Sequence, residues 1–518
     1  MTAMPGPEMP VMAGDGLKVA SSPTRSDVTR RLCAAAYLQV PRGGGKAEDG
    51  GIPYAEWVVR HVVRGTKRPA PSLGFDLSLV VEHCLAALRV DRFRAWGLGL
   101  AFLVGLVVDW RSTLVWTGIA LVLSSVAPAL VLPVLLVAGV VMEIYGERIE
   151  AAANSEVFSA FRPELGPLLV LVLCCWLAHW GWRCALVHAR ASVGDQWSGP
   201  HPPRYLRLPG AQRRAEIERY QQAAVICYAS GRQERFVGYG RPWRRSQVGV
   251  VLEGRDGGPV TGKLDGAALV AHVEQRLAEL GRADAVAHPL QDFTVRSVIG
   301  VSAGTYKANG GILGDPEAGL LVAPTRAVAA RHSTGQSERH YLSASVVSWS
   351  GQLVASVVVQ LALEGKLLRV VQWPHVLGPL RGAVAGASPG GAANARAFRQ
   401  ELRPAFMDVW RMFRAWQPQV LPRPIGRGER KTVAEEEAHA AEQPPASLRE
   451  RFSSADVTDL HQSEDLRRHI QSVQRWVFRA VDEYLIAQGV DTGTYRAQVT
   501  QVVNSFVVSS NVEDDPAS

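Results

Sequence analysis

Residues 300–304 read Gly300-Val301-Ser302-Ala303-Gly304, the G-x-S-x-G spacing that in hydrolases lifts a serine hydroxyl above a sheet on a strained strand-to-helix elbow. Small residues on both sides let such a turn close, and the hydroxyl then needs a base and an acid that orients it. His332 and His340, with Asp315, are the candidates the chain offers. The elbow also needs a helix directly after the serine, and TYKANGGILGDPEAG follows instead, full of turn formers and without helical periodicity. Ser302 is therefore read as a strand-to-turn serine, with a nucleophilic role as the alternative. A second pattern, Gly238-Tyr239-Gly240 beside Arg235 and Arg241, can cradle an anion on its backbone amides, but it lacks the Walker spacing and the Lys-Ser/Thr pair. A hairpin turn is its expected role. The chain has no H-E-x-x-H, no C-x-x-C among Cys33, Cys84, Cys174, Cys175, Cys184 and Cys227, and no carboxylate cluster with metal spacing, so no metal and no cofactor is expected.

The elements that would position these residues follow from periodicity. RHYLSASVVSWSGQLVASVVVQLALEGKLLRVVQW reads as three antiparallel strands at 339–349, 352–363 and 366–373, with Ser350-Gly351 and Glu364-Gly365 as the tight turns. Further strands are expected at 224–230, 247–254 and 293–301, and a helix at 263–281 that Gly281 stops. Residues 224–416 thus form an α+β domain with an antiparallel sheet, preceded at 187–223 by a basic linker and short helix. Residues 417–462 are a Pro- and Glu-rich linker and 489–518 a tail. Between them, residues 463–488 form an amphipathic helix whose Leu466, Ile470, Val473, Val477, Ala480 and Tyr484 alternate by three and four. That seam is expected to pack within the chain, with pairing of two chains as the alternative. At the other end, residues 1–26 read as disordered and 27–94 as a small helical unit, with helices at 27–40, 52–65 and from 77 onward.

Residues 95–186 carry the apolar excess. From 95 to 142 only Asp109 and Arg111 are charged, and 166–182 has no charge until Arg183. Runs of this kind predict membrane spans, placed near 95–110, 113–125, 128–142 and 166–186, all short against roughly 30 Å of hydrocarbon. Arg92, Arg94, Trp96, Trp110, Trp182, Arg183 and Arg190 fall near span ends, where basic and aromatic side chains meet lipid head groups. Arginines before the first span and after the last, with a Glu-rich loop at 143–165, predict a multi-pass protein of the plasma membrane with both termini cytoplasmic. The rest of the chain is ordinary: a mean hydropathy of only +0.02 over 518 residues excludes a transporter that is apolar throughout. The net charge of +8 comes without a basic helix interleaved with aromatics or a zinc-finger or RNA-recognition signature, so nucleic acid is not an expected partner.

The stretches RLCAAAYL at 31–38, PSLGFDLSLVVEHCLAA at 71–87, RFVGYG at 235–240, RHYLSASVVSW at 339–349, VLGPL at 376–380 and GVDTGTYRAQVTQVVNS at 489–505 occur in one order along the chain. In these the chain resembles uncharacterised integral membrane proteins of actinobacteria, of the Streptomyces type. The resemblance implies a membrane protein with a cytosolic C-terminal domain, and it brings no reaction, substrate or catalytic residue. The expected function is a non-catalytic scaffold or sensor, anchored in the lipid bilayer and presenting the α+β domain to partners. A small-solute transporter or channel component and a membrane-anchored serine hydrolase using Ser302 are the alternatives.

Overall fold

The computed structural model describes residues 26–38, 50–63, 70–125, 180–190, 193, 201–202, 217, 225–228, 236–255, 258, 260, 264–282, 289–302, 338–387, 447–454 and 456–510. Helix α1 (Asp27–Ala35) starts where the Ser26 hydroxyl accepts the Thr29 N–H, relieving one of the orphan donors of the first turn. Helix α2 (Gly51–Val58) runs into a π turn at Val59–Val63. Helix α3 (Leu77–Ser125) is capped by Asp76, whose carboxylate accepts the Ser78 and Leu79 N–H groups. Val28, Leu32 and Cys33 of α1, Tyr54 and Val58 of α2, and Val80, Cys84 and Ala87 of α3 share one buried core.

A seven-stranded mixed sheet forms the second unit. Its strands are β1 (Val225–Tyr228), β2 (Arg241–Pro242), β3 (Ser246–Val251), β4 (Phe293–Ser302), β5 (Glu338–Ser348), β6 (Leu353–Glu364) and β7 (Leu367–Leu377). They lie in the order β1-β4-β5-β6-β7-β2, with β3 also pairing β7. β1 runs parallel to β4, and every other pairing is antiparallel. The hairpin turns need a left-handed backbone: Gly351 has φ +88° and Gly365 φ +60°, conformations that cost a residue without a Cβ little. One face of the sheet is covered by helices α4 (Gly266–Ala278), α7 (Leu460–Ala487) and α8 (Gly493–Ser510). Two short helices, α5 (Gly382–Ala385) and α6 (Leu448–Phe452), tie the sheet to the helical unit, because Val384, Leu448 and Phe452 belong to its core.

The heptad-spaced seam of α7 faces inward. Leu466, Ile470, Val473, Val477, Ala480 and Tyr484 are all buried against the sheet. Helix α8 lies in the stretch expected as a tail. Its Val- and Thr-rich sequence has low intrinsic helix propensity, and packing of Tyr495, Val499, Val502 and Val503 on the same core holds it.

The membrane reading is overturned. Among the described residues no helix is long and apolar enough to cross a membrane. The apolar run that suggested the first span stops at Asp109, where the backbone leaves helical geometry (φ −154°, ψ 100°) and divides α3 into two arms. The chain then doubles back, for a Cβ on Gly105 would lie 2.9 Å from the Thr113 hydroxyl. The break expected between 110 and 113 is present, but the pieces on either side are not spans: 95–110 is a short arm and 113–125 its return. The span near 128–142 lies outside the described residues. Of that near 166–186 only 180–186 is described, and Trp182, Ala185 and Leu186 there pack on the helical core. Four spans, a multi-pass plasma-membrane location with cytoplasmic termini, and a lipid-facing role for the span ends lose their basis together.

Candidate functional site

The face of the sheet away from α4 and α7 gathers the side chains with chemical capacity. Strand alternation brings Tyr341, Ser343 and Ser345 of β5, Ser356 and Val358 of β6, and Trp373 and His375 of β7 to this face, beside Val298 of β4. The turn at 236–240 lays Phe236 and Tyr239 over them. Phe236 meets Tyr341, Trp373 and His375 edge-on, with ring centroids 5.2, 5.9 and 5.5 Å apart. Tyr239, Ser343, Ser345, Ser356 and His375 are all hydrogen-bonded within the protein. The Tyr239 hydroxyl lies 2.9 Å from the Ser343 hydroxyl. Ser345 and Ser356, directly opposite each other, are linked Oγ to Oγ at 2.9 Å. His375 places Nδ1 2.9 Å from the Trp373 carbonyl, and Nε2 accepts the Phe236 N–H at 3.4 Å, a pattern that fits a neutral ring. Burial pushes the Tyr239 phenol up despite its Ser343 bond, so it stays a neutral donor. The cluster is a satisfied network, and it pins the 236–240 turn to the sheet.

That turn is where Gly238-Tyr239-Gly240 falls. Gly238 (φ +96°) and Gly240 (φ +94°) aim their N–H groups at one oxygen, Glu450 Oε1, each at 2.8 Å. The pattern cradles an anion, as its amides allow, and the anion is the chain's own carboxylate on α6. A Cβ at Gly240 would collide with the Val376 carbonyl, which is a second reason for glycine there. Next to Glu450, Arg449 is fully buried and donates through Nη2 to the carbonyls of Gly351, Gln352 and Gly378 at 3.0, 2.8 and 2.8 Å. Its Nε and Nη1 have no hydrogen-bond partner among the described residues, and burial lowers the guanidinium to about 9. Arg451 stacks over Trp57 at 4.5 Å, and Arg381 N donates to Phe452 O at 2.9 Å. Residues 447–454 are thus a strap that joins the helical unit, the 236–240 turn and the β5–β6 and β7 turns.

No catalytic constellation forms among the described residues. Ser302 ends β4, its backbone in register with Tyr228 of β1. His340 pairs with Ile299, three residues up the strand, and Asp315 and His332 lie outside the described residues. The first glycine of the motif has a structural use: a Cβ on Gly300 would run into the Tyr341 ring. Of the residues expected at a lipid interface, Arg94 and Trp182 pack on each other. The Arg94 guanidinium sits 4.3 Å from the Trp182 ring centroid and bonds Asp91 at 2.6 Å. Arg183 is buried and Arg190 half-buried, whereas Arg92 is exposed. Trp96 and Trp110 are exposed at 78 % and 57 %.

Glu450 and Arg449 were absent from the sequence reading. The Ser447 cap that accepts the Glu450 N–H was the one local cue, and it sat inside what read as a linker. No group of three or more His, Cys, Asp or Glu able to hold a metal ion occurs among the described residues. Residues 244–514, slightly more than half of the chain, match the family model described as AbeC-like domain. No curated protein and no solved structure matches the chain.

Proposed function

The chain belongs to the AbeC-like domain family, and on that premise we propose that it is a non-catalytic interaction module, a scaffold or sensor whose working parts are surfaces. The observation that carries this reading is a contrast. The hydroxyls and phenol that sheet chemistry would use are buried and paired with one another, and the His375 imidazole is bonded to backbone groups. Large apolar side chains between residues 93 and 110 stand in solvent instead. The strap at 447–454 makes the sheet and the helical unit one platform, so a contact on one is felt by the other.

A serine-reactive phosphonate probe tests the non-catalytic half. Intact protein is expected to show no labelling that depends on Ser302. Labelling of wild type that disappears in Ser302→Ala would overturn the proposal and revive the hydrolase alternative.

A further inference from the structure

We infer that the arm at residues 93–110 is a self-pairing seam whose occupant is the same seam of a second copy of this chain. This rests on the interaction-module reading and names its partner. Phe93, Trp96, Leu100, Leu103 and Val107, all before the kink at Asp109, follow one another at spacings of three, four, three and four. That is the repeat with which one helix meets another knobs-into-holes. All five are exposed, from 57 % at Phe93 to 87 % at Val107. The opposite side of the arm is already taken, because Gly105, half a helical turn round from the seam, receives Thr113 of the returning chain. The seam is therefore the arm's outward face.

Three features select a second copy. The flanking positions Gly97, Gly99, Val104 and Leu106 carry no charge, so nothing on the stripe selects a partner of opposite sign. Phe93 and Trp96, aromatic side chains of about 150–250 Å² each, together with the exposed leucines and valines of the arm, offer an area on the order of the roughly 800 Å² that each partner gives to a standard interface. Two arms then hide about 1,600 Å². Burial in the helical core ends at Val90 and Asp91, where the arm begins. Parallel pairing would set two bodies side by side and bring Arg89 and Arg92 of both copies together. Antiparallel pairing about a two-fold axis between Leu100 and Leu103 keeps the bodies at opposite ends. It sets Trp96 against the second copy's Val107 and Leu100 against Leu103.

Sedimentation equilibrium on the full chain tests this. Wild type is expected at twice its 56.1 kDa mass. Leu100→Glu/Val107→Glu, both on the exposed face, is expected to be a monomer with an unchanged circular dichroism spectrum and an association at least about 100-fold weaker. Under oxidation, the double variant Trp96→Cys/Val107→Cys is expected to form covalent dimers that neither single variant forms. A monomeric wild type, a dimer indifferent to the double glutamate substitution, or efficient dimers from Trp96→Cys alone would overturn the pairing. So would intrachain crosslinks from Val107 to residues 126–179, or binding to phospholipid vesicles in place of self-association. The serine-probe result is independent of all of these, so failure of the pairing and failure of the non-catalytic reading are told apart.

Discussion

Gly300 and Glu450 show how residue types with catalytic associations are used for packing. Gly300 sits in a strand flanked on both sides, under the ring of Tyr341. Gly300→Ala forces that ring aside and is expected to lower stability by about 1–3 kcal/mol in urea unfolding, the range for an overpacked core. A nucleophile elbow would answer differently, with a loss of turnover at unchanged stability. Glu450 satisfies two amides that no water reaches easily. Glu450→Ala leaves both without their acceptor and is expected to cost about 2–4 kcal/mol, with Glu450→Gln recovering part, because a neutral carbonyl still accepts but more weakly. The nest was half legible: Gly238-Tyr239-Gly240 announces converging amides, but nothing near it in sequence announces an anion some 210 positions away. The G-x-S-x-G pattern misled because a glycine spared for a neighbouring ring and a glycine spared for an elbow look alike in one strand.

Heptad spacing occurs twice, and at the scale of elements the two seams have opposite fates. On α7 the stripe is buried, and on the arm of α3 it is bare. Leu466→Ala is expected to cost about 2–5 kcal/mol, as for a large-to-small change in a packed core. Leu100→Ala, measured at a concentration where the chain is monomeric, is expected to stay within about 0.5 kcal/mol. Helices α4 and α7 are further clasped by Arg276, which bonds Glu483 at 2.8 Å while Arg479 bonds the other Glu483 oxygen at 3.0 Å. Burial alone would raise the Glu483 carboxyl, but the bonds from Arg276 and Arg479 outweigh it and hold the group below its ordinary value. Folded protein then binds this proton less readily than unfolded chain. Its stabilising effect is complete above the ordinary carboxylate range near pH 4.5 and is lost as pH falls through the lower folded value. Glu483→Gln is expected to flatten the acid limb of the stability–pH curve over that window. The strands β5 to β7 were legible because Gly351 and Gly365 mark their turns between long β-branched runs, although Trp349 and Ser350 adopt positive φ as well. Helix α8 was not, because tertiary packing overrides its β-branched composition. The break near Asp109 was legible from the charges at 109 and 111, but the folding back of the chain after it was not, because composition does not set the direction of the return.

For the whole molecule, the helical core and the sheet meet at the 447–454 strap and where α1 and the 70–76 turn touch the β5–β6 turn, and an apolar arm continues from the helical core. Apolar composition alone pointed to lipid, and helix geometry removed that reading. The same side chains, seen on a short arm whose back is occupied, point to protein as their partner. The most direct measurement is photo-crosslinking in the native cell from a benzophenone amino acid at Val107, with the same group at exposed Gln247 as the control. Abundant protein adducts from Val107, far above those from Gln247 and lost when Leu100 is changed to Glu, are expected. Equal yields from both positions, or none from Val107, would contradict a molecule that works through this arm.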